Sequence, residues 1–375
     1  MDPVKILKRA WHILWSYRAL WVFGLILALT AAGSSGGSGN NGVRFSGDSN
    51  SQSYEVPLTE NWREEIGMAF KEIGKEFSRL FEEGLPALGI SRGELTALLW
   101  IIAGFVLVMM VIGIVMAIAR YVSETAVIRM VDEYEATDTK MTVRQGFRIG
   151  WSRTSWRLFL INLIVNIPVI VLLVVMGIAG FMIYRMVVGG NDALAVTGIV
   201  SVIGVVFLLI FVVVILSIFL GLLRHFFWRV SALEDVGVGE SLRRGFALVR
   251  ENWKNVGLMW LVMIGLGIAW MLVSIIAFII TIPVVAVTAI IAAVVVSIPG
   301  LLLAGFFSLF LSGYMPLIVG GIFVLPLFFV IAFLPWGLLT AWQQIYSSTV
   351  WTLTYREIKA LPAEIPEMEI GPVGD

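Results

Sequence analysis

Side chains able to do covalent or acid–base chemistry are few in this chain and widely separated. There is no cysteine, and His12 and His225 are the only histidines. Thiolate nucleophiles, thiolate metal sites and disulfides are therefore excluded together. Neither histidine has a carboxylate three or four residues on, and no His-Glu-x-x-His is present. Each sits beside tryptophan or arginine, which fits an interfacial placement better than a metal or general-base role. Gly33-Ser-Ser-Gly-Gly37 formally matches the Gly-x-Ser-x-Gly nucleophile elbow. An elbow needs a strand before it and a helix after it, whereas this serine lies in a Gly-, Ser- and Asn-rich stretch, 33–57, that reads as a loop. Phosphate loops and dinucleotide fingerprints are absent, so neither an enzyme nor a cofactor is expected.

What remains is uncharged polarity inside apolar surroundings. Asn162 and Asn166 are four apart and share one helix face, and Thr340, Gln343, Gln344, Ser347 and Ser348 give a second polar stretch. Left facing lipid, such groups would be costly, so both sets are expected to point inward. Two uses are open. Hydrogen bonds between helices contribute about 0.6–2 kcal/mol each in membranes; alternatively, Asn162, Asn166, Gln343 and Gln344 line a path for a ligand. The centres of the predicted spans hold no ionisable residue, which disfavours transport coupled to a buried carboxylate.

The elements that must carry these residues are membrane helices. With 59% hydrophobic and 14% charged residues and a mean hydropathy of +0.94, the chain is far more apolar than soluble domains, which hold about 25% charged residues. The composition predicts an all-α, polytopic transmembrane bundle of about six long spans. A net charge of zero gives nucleic-acid binding no support. Apolar runs cover 19 to about 32, 95–131, 156–187 and 195–230. From Asn255 to Tyr355 there is no Asp, Glu, Lys or Arg over 101 positions. Two long spans with a short apolar insertion near 297–315, or four ordinary spans, would fill that length, with breaks offered at Pro283, Pro299-Gly300, Ser312-Gly313 and Pro316.

A short template precedes three of the runs. Leu242-Arg-Arg-Gly-Phe246 has the order apolar, basic, polar, small, aromatic; Val143-Arg-Gln-Gly-Phe147 and Leu7-Lys-Arg-Ala-Trp11 follow it. Leu242, Phe246, Val249 and Trp253 step by four, three and four, so the segment is an amphipathic helix able to lie on a membrane. A basic start and a short apolar stretch could also be a cleaved signal, but the match to the internal template favours a first span. Each unit then reads as surface helix, span out, span back and polar exit: about 1–133, 134–235 and 236–360. The exits are Arg129-Met-Val-Asp-Glu133, Ala232-Leu-Glu-Asp235 and Thr354-Tyr-Arg-Glu357. A tandem array in one orientation predicts three hairpins around a pseudo-threefold axis, and Gly146 and Gly245 are expected where surface helix meets bundle.

Residues 120–157 hold seven Lys or Arg and 224–254 hold six, placing both on the cytoplasmic side of the cell membrane. Both termini are then cytoplasmic, with a disordered acidic tail over 361–375. The 33–94 region falls outside and contains an amphipathic helix over 59–83, capped by Asn61 with Glu64. Arg144, Arg148, Arg243, Arg244 and Arg250 on the surface helices are expected to hold anionic headgroups.

Ser241-Leu-Arg-Arg-Gly-Phe246, the Glu251-Asn-Trp253 after it, the six-span plan and Ser347-Ser-Thr-Val-Trp-Thr-Leu-Thr-Tyr-Arg356 together resemble uncharacterised prokaryotic multi-pass proteins. These are similar to the membrane domain attached to some glycerophosphodiester phosphodiesterases. The resemblance implies paired helices with surface helices at the inner leaflet. It implies no catalytic residue, and no phosphodiesterase domain is present to transfer activity from. Two classes of function follow: a scaffold or accessory protein contacting lipids, a protein partner or a second copy, or else a carrier or channel for a lipid-like or small uncharged substrate.

Overall fold

The computed structural model describes residues 1–32, 92–188 and 192–361. The helix expected over 59–83 and the acidic tail lie outside these residues. Among the described residues the chain is helical, with α1 Pro3–Ser16, α2 Ala19–Ala32, α3 Arg92–Thr137, α4 Val143–Gly150, α5 Arg153–Val188, α6 Asp192–Glu234, α7 Val238–Glu251, α8 Trp253–Phe307, α9 Met315–Ala332 and α10 Leu334–Ala360. Five helices are long and apolar enough to cross a membrane, or six if α1 and α2, bent by 100° at Tyr17-Arg18, count as one broken span.

The short helices start where local chemistry tells them to. Asp2 accepts from the amides of Val4 and Lys5 ahead of Pro3, and Thr142 forms a capping box with Gln145, satisfying amides that a helix start leaves open. The long exit helices α3 and α6 end alike. The residue after each is an aspartate in the left-handed region, Asp138 at φ 54° and Asp235 at φ 51°, a conformation that aspartate tolerates better than most side chains. Both then lead through a short connection into a surface helix.

The three units pack cyclically. Each surface helix lies on the exit helix of the preceding unit: α4 on α3, α7 on α6, and α1 on α10, which closes the ring between the first and last helices. The exit helices α3, α6 and α10 also touch one another. Burial along the template repeats as well. Leu7, Val143 and Leu242 are half-buried; Lys8, Arg144 and Arg243 are exposed; Ala10, Gly146 and Gly245 are buried; and Trp11, Phe147 and Phe246 are exposed. The small position is small for a reason. A Cβ on Gly245 would stand 2.5 Å from Cδ1 of Phe227, and one on Gly146 2.5 Å from Sδ of Met130.

The basic residues at 120, 129, 224 and 229 lie on the long helices, as α3 runs on to Thr137 and α6 to Glu234. Of these, Arg224 and Arg229 are buried. One expectation is corrected: the long uncharged region divides differently. α8 runs unbroken for 55 residues through Pro283 and Pro299, about 80 Å at ~1.5 Å per residue, since membrane helices absorb a proline by local adjustment and neighbouring donors. The chain turns at 308–314, where Gly313 has φ +62°, and the return is split at Phe333 into α9 and α10. Small residues let α9 press on α8: a Cβ on Gly320 would lie 2.8 Å from the Gly300 carbonyl oxygen and 2.9 Å from the Ala304 nitrogen. At the split, Thr288 Oγ1 donates to the Ala332 carbonyl at 2.7 Å.

Candidate functional site

Polar side chains converge at the end of the bundle that carries α1, α4 and α7, where the exit helices meet. Tyr121 of α3, Asn162 of α5 and Arg224 of α6 form one chain of contacts. Asn162 Nδ2 donates to the Tyr121 hydroxyl at 2.9 Å, and Arg224 Nη1 donates to Asn162 Oδ1 at 3.0 Å. The Arg224 guanidinium also lies over the Trp228 ring, 5.2 Å from its centroid.

A second chain joins α6, α10 and α3. Arg229, 1% exposed, donates from Nη1 to the His225 carbonyl at 2.6 Å and from Nη2 to the Ser348 carbonyl at 2.9 Å. Ser348 Oγ passes the contact on to Glu124 Oε1 at 2.8 Å. The His225 ring stacks on Trp351 at 4.9 Å and 9°. Burying an arginine is costly unless its donors and charge are met; here carbonyl oxygens take both terminal nitrogens and one carboxylate stands at one remove, while Nε has no partner among the described residues.

Nearer the helix ends the contacts are ionic. Arg356 of α10 reaches the Asp132 carbonyl at 2.8 Å and also its carboxylate. Arg129 of α3 donates to the Ala232 carbonyl at 3.0 Å and to Thr154 Oγ1 at 2.9 Å. Arg157 meets Asp235 at 2.8 Å. Glu234 gathers Tyr355 at 2.6 Å, Lys359 at 2.8 Å and Arg244 at 3.0 Å. These last residues, with Val230, Leu248 and Glu251, line an open recess of about 200 Å³ between α6, α7 and α10.

The residues singled out from sequence divide among these places. Asn162 and Asn166 are joined, Asn166 Nδ2 donating to the Asn162 carbonyl at 2.7 Å. Gln343 and Gln344 are half-buried on α10, which packs against α2, α1, α8, α3 and α6, while α5 packs against α6, α3 and α7. Arg144, Arg148, Arg243 and Arg250 are exposed. Arg244 is engaged, meeting Glu240 at 2.6 Å as well as Glu234, so its guanidinium stays above and the Glu240 carboxyl below its ordinary pKa, chiefly through their mutual hydrogen bond. Sequence reasoning passed over Glu124, Arg224 and Arg229. The available signal was Arg224-His-Phe-Phe-Trp-Arg229, two arginines in an otherwise apolar helix end, too many apolar neighbours for a surface loop. Among the described residues no three His, Asp or Glu side chains gather as a metal site would require.

A model of a family of unknown function, DUF7544, matches residues 7–360. The chain belongs to that family. The match begins within the first surface helix and ends with the last exit helix, so the helical body as a whole is what DUF7544 denotes here. No curated protein and no solved structure matches the chain. The family match carries no link to the glycerophosphodiester phosphodiesterase membrane domain.

Proposed function

We propose that this protein is a non-catalytic, multi-pass scaffold or accessory protein of the cell membrane, with the surface helices and both termini on the cytoplasmic side. The observation that carries this reading is how the intramembrane polar groups are used. Asn162 of α5 is held by Tyr121 of α3 and Arg224 of α6, while Asn166 bonds back to the Asn162 carbonyl of its own helix. Groups tied between helices hold the bundle together, and a carrier needs such groups free to meet a solute. The basic exits and surface helices support the orientation. The likeness to the phosphodiesterase-attached membrane domain enters as a proposal about architecture alone, with paired helices and surface helices at the inner leaflet.

The carrier reading is the competitor, and one experiment separates the two. Full-length protein reconstituted in liposomes is expected to give no flux of small uncharged solutes above protein-free vesicles, while cross-linking in cells is expected to capture a reproducible partner or a second copy. Solute flux abolished by Asn162→Leu would overturn the scaffold reading.

A further inference from the structure

The template positions divide their labour in the same way in all three units. The third position serves the protein itself: Arg9 pairs with Glu135 at 2.6 Å, Gln145 closes the capping box with Thr142, and Arg244 bridges Glu240 and Glu234. The fourth position, Ala10, Gly146 or Gly245, is pressed against the bundle. The second position does neither, and the fifth is only edged by rings of the bundle, Trp11 at 5.9 Å from Tyr346 and Phe147 at 5.1 Å from Phe23 between centroids. Lys8, Arg144 and Arg243 are exposed, and so are Trp11, Phe147 and Phe246, at 49%, 38% and 47%. Three positions apart on a helix, each basic residue and its aromatic share one face, and that face leaves both side chains exposed at the edge of the bundle.

These cations are also uncommitted. Lys8 and Arg144 have no ion-pair partner among the described residues, and Arg243 has a single contact to Glu240 at 3.2 Å with its side chain 79% exposed. Exposed tryptophans continue the belt at the corners where surface helix turns into span: Trp15, Trp151, Trp156 and Trp253 at 43%, 69%, 63% and 65%. Aromatic rings with a polar edge settle at the headgroup level, where a basic side chain finds anionic lipid.

We infer that each surface helix carries one site for the phosphate headgroup of an anionic phospholipid, formed by Lys8 with Trp11, Arg144 with Phe147 and Arg243 with Phe246. The cation meets the phosphate, and the aromatic side chain seats against the glycerol and first acyl carbons. The cyclic packing sets the stoichiometry at three lipids, one per unit. Arg244 is not part of a site, because two carboxylates already hold it. The inference rests on the proposed placement of the surface helices at the inner leaflet.

The test is native mass spectrometry of the full-length detergent-solubilised protein offered phosphatidylglycerol or phosphatidylcholine of the same acyl chains. Up to three phosphatidylglycerols are expected to be retained in preference to phosphatidylcholine, with each of Lys8→Gln, Arg144→Gln and Arg243→Gln removing one and the triple variant abolishing the preference. All three side chains are exposed, so melting temperatures should not change, and the single variants decide the matter if the triple one folds poorly. Equal retention of the two lipids, or undiminished phosphatidylglycerol in the variants, would overturn the sites. So would displacement of the lipid by excess inorganic phosphate, which would assign the cations to a free anion. A failed lipid preference in a folded protein leaves the scaffold reading standing, whereas solute flux sinks that reading and leaves the lipid count unaffected.

Discussion

The Tyr17 hydroxyl and the Met141 backbone hold each other twice: the hydroxyl donates to the Met141 carbonyl at 3.1 Å and accepts from the Met141 amide at 2.6 Å. One side chain at the α1–α2 corner thereby closes the connection between α3 and α4, across units and 124 residues of sequence. Its ring is 1% exposed and stands 5.5 Å from Tyr134. Tyr17→Phe keeps the ring packing and removes both hydrogen bonds, leaving two partly buried backbone groups without their partner. A cost of about 1–3 kcal/mol is expected, read as a lower melting temperature and faster cleavage in the 138–142 connection. An unchanged melt would mean that water replaces the hydroxyl at no cost.

Glycines in the surface helices should rank by what a methyl group would strike. At Gly245 the obstacle is the Phe227 ring, which can tilt; at Gly150 it is the Val122 carbonyl oxygen at 2.5 Å, with Ala126 Cβ at 3.1 Å. Backbone cannot move aside without shifting α3. Gly150→Ala is therefore expected to lie at or above the top of the ~1–3 kcal/mol range for overpacking and Gly245→Ala within it, while Gly245→Leu should block folding or insertion. Thermal melts of the two alanine variants decide the order, and a Gly150→Ala protein as stable as the parent would refute it.

The template was legible because its information is local. Spacing of four and three puts Leu242, Phe246 and Val249 on one side, and chain chemistry alone says that Gly245 marks a close approach. Burial adds one detail: Phe246 lies exposed, and a narrower face formed by Ser241, Gly245 and Val249 makes the contact with the bundle. The polar junction was much less legible. Arg229 finds Ser348 at a separation of 119 residues and Arg356 finds Asp132 at 224, and no local pattern encodes such partners. Counting charges along 224–254 gives a side of the membrane but not which arginines turn inward. Pro299 misled for a different reason. Proline stops helices in water, but within an apolar bundle the helix has no better place to put its remaining carbonyls.

The first turn of α7 should loosen in acid. Arg244 hydrogen-bonds to Glu240 and holds its carboxyl below the ordinary carboxylate range, with the charges of Arg243 and Arg244 adding to the effect. A carboxyl whose folded pKa is depressed contributes stability above its unfolded pKa, about 4.3, and loses it as pH falls through the lower folded value. The Glu240–Arg244 pair is therefore expected to be constant from neutral pH to about pH 5 and to weaken below about pH 4. The chain has no cysteine, so a dye on Ala247→Cys reports the recess between α6 and α7 alone. Adding Glu240→Gln should remove the upper part of the transition, and an identical profile with and without that change would refute the assignment.

Arg229 and Glu124 are the pair on which the junction should depend most. Arg229 is buried and reaches the carboxylate only through Ser348, which accepts its weak contact at 3.5 Å and donates to Glu124 at 2.8 Å. Removing Glu124 takes away the carboxylate nearest the buried Arg229, and removing Arg229 strips the Ser348 carbonyl of its donor, so Arg229→Ala and Glu124→Gln should each destabilise, the first by about 3–5 kcal/mol. Arg229→Met retains most of the volume and should cost less than Arg229→Ala. The decisive measurement is the double variant, Arg229→Met with Glu124→Gln, which removes both charges together. If the two are coupled through Ser348, its loss should fall short of the summed single losses by about 0.5–3 kcal/mol. Strict additivity would mean that the Arg229 guanidinium is satisfied by the His225 and Ser348 carbonyls alone, with Glu124 a bystander.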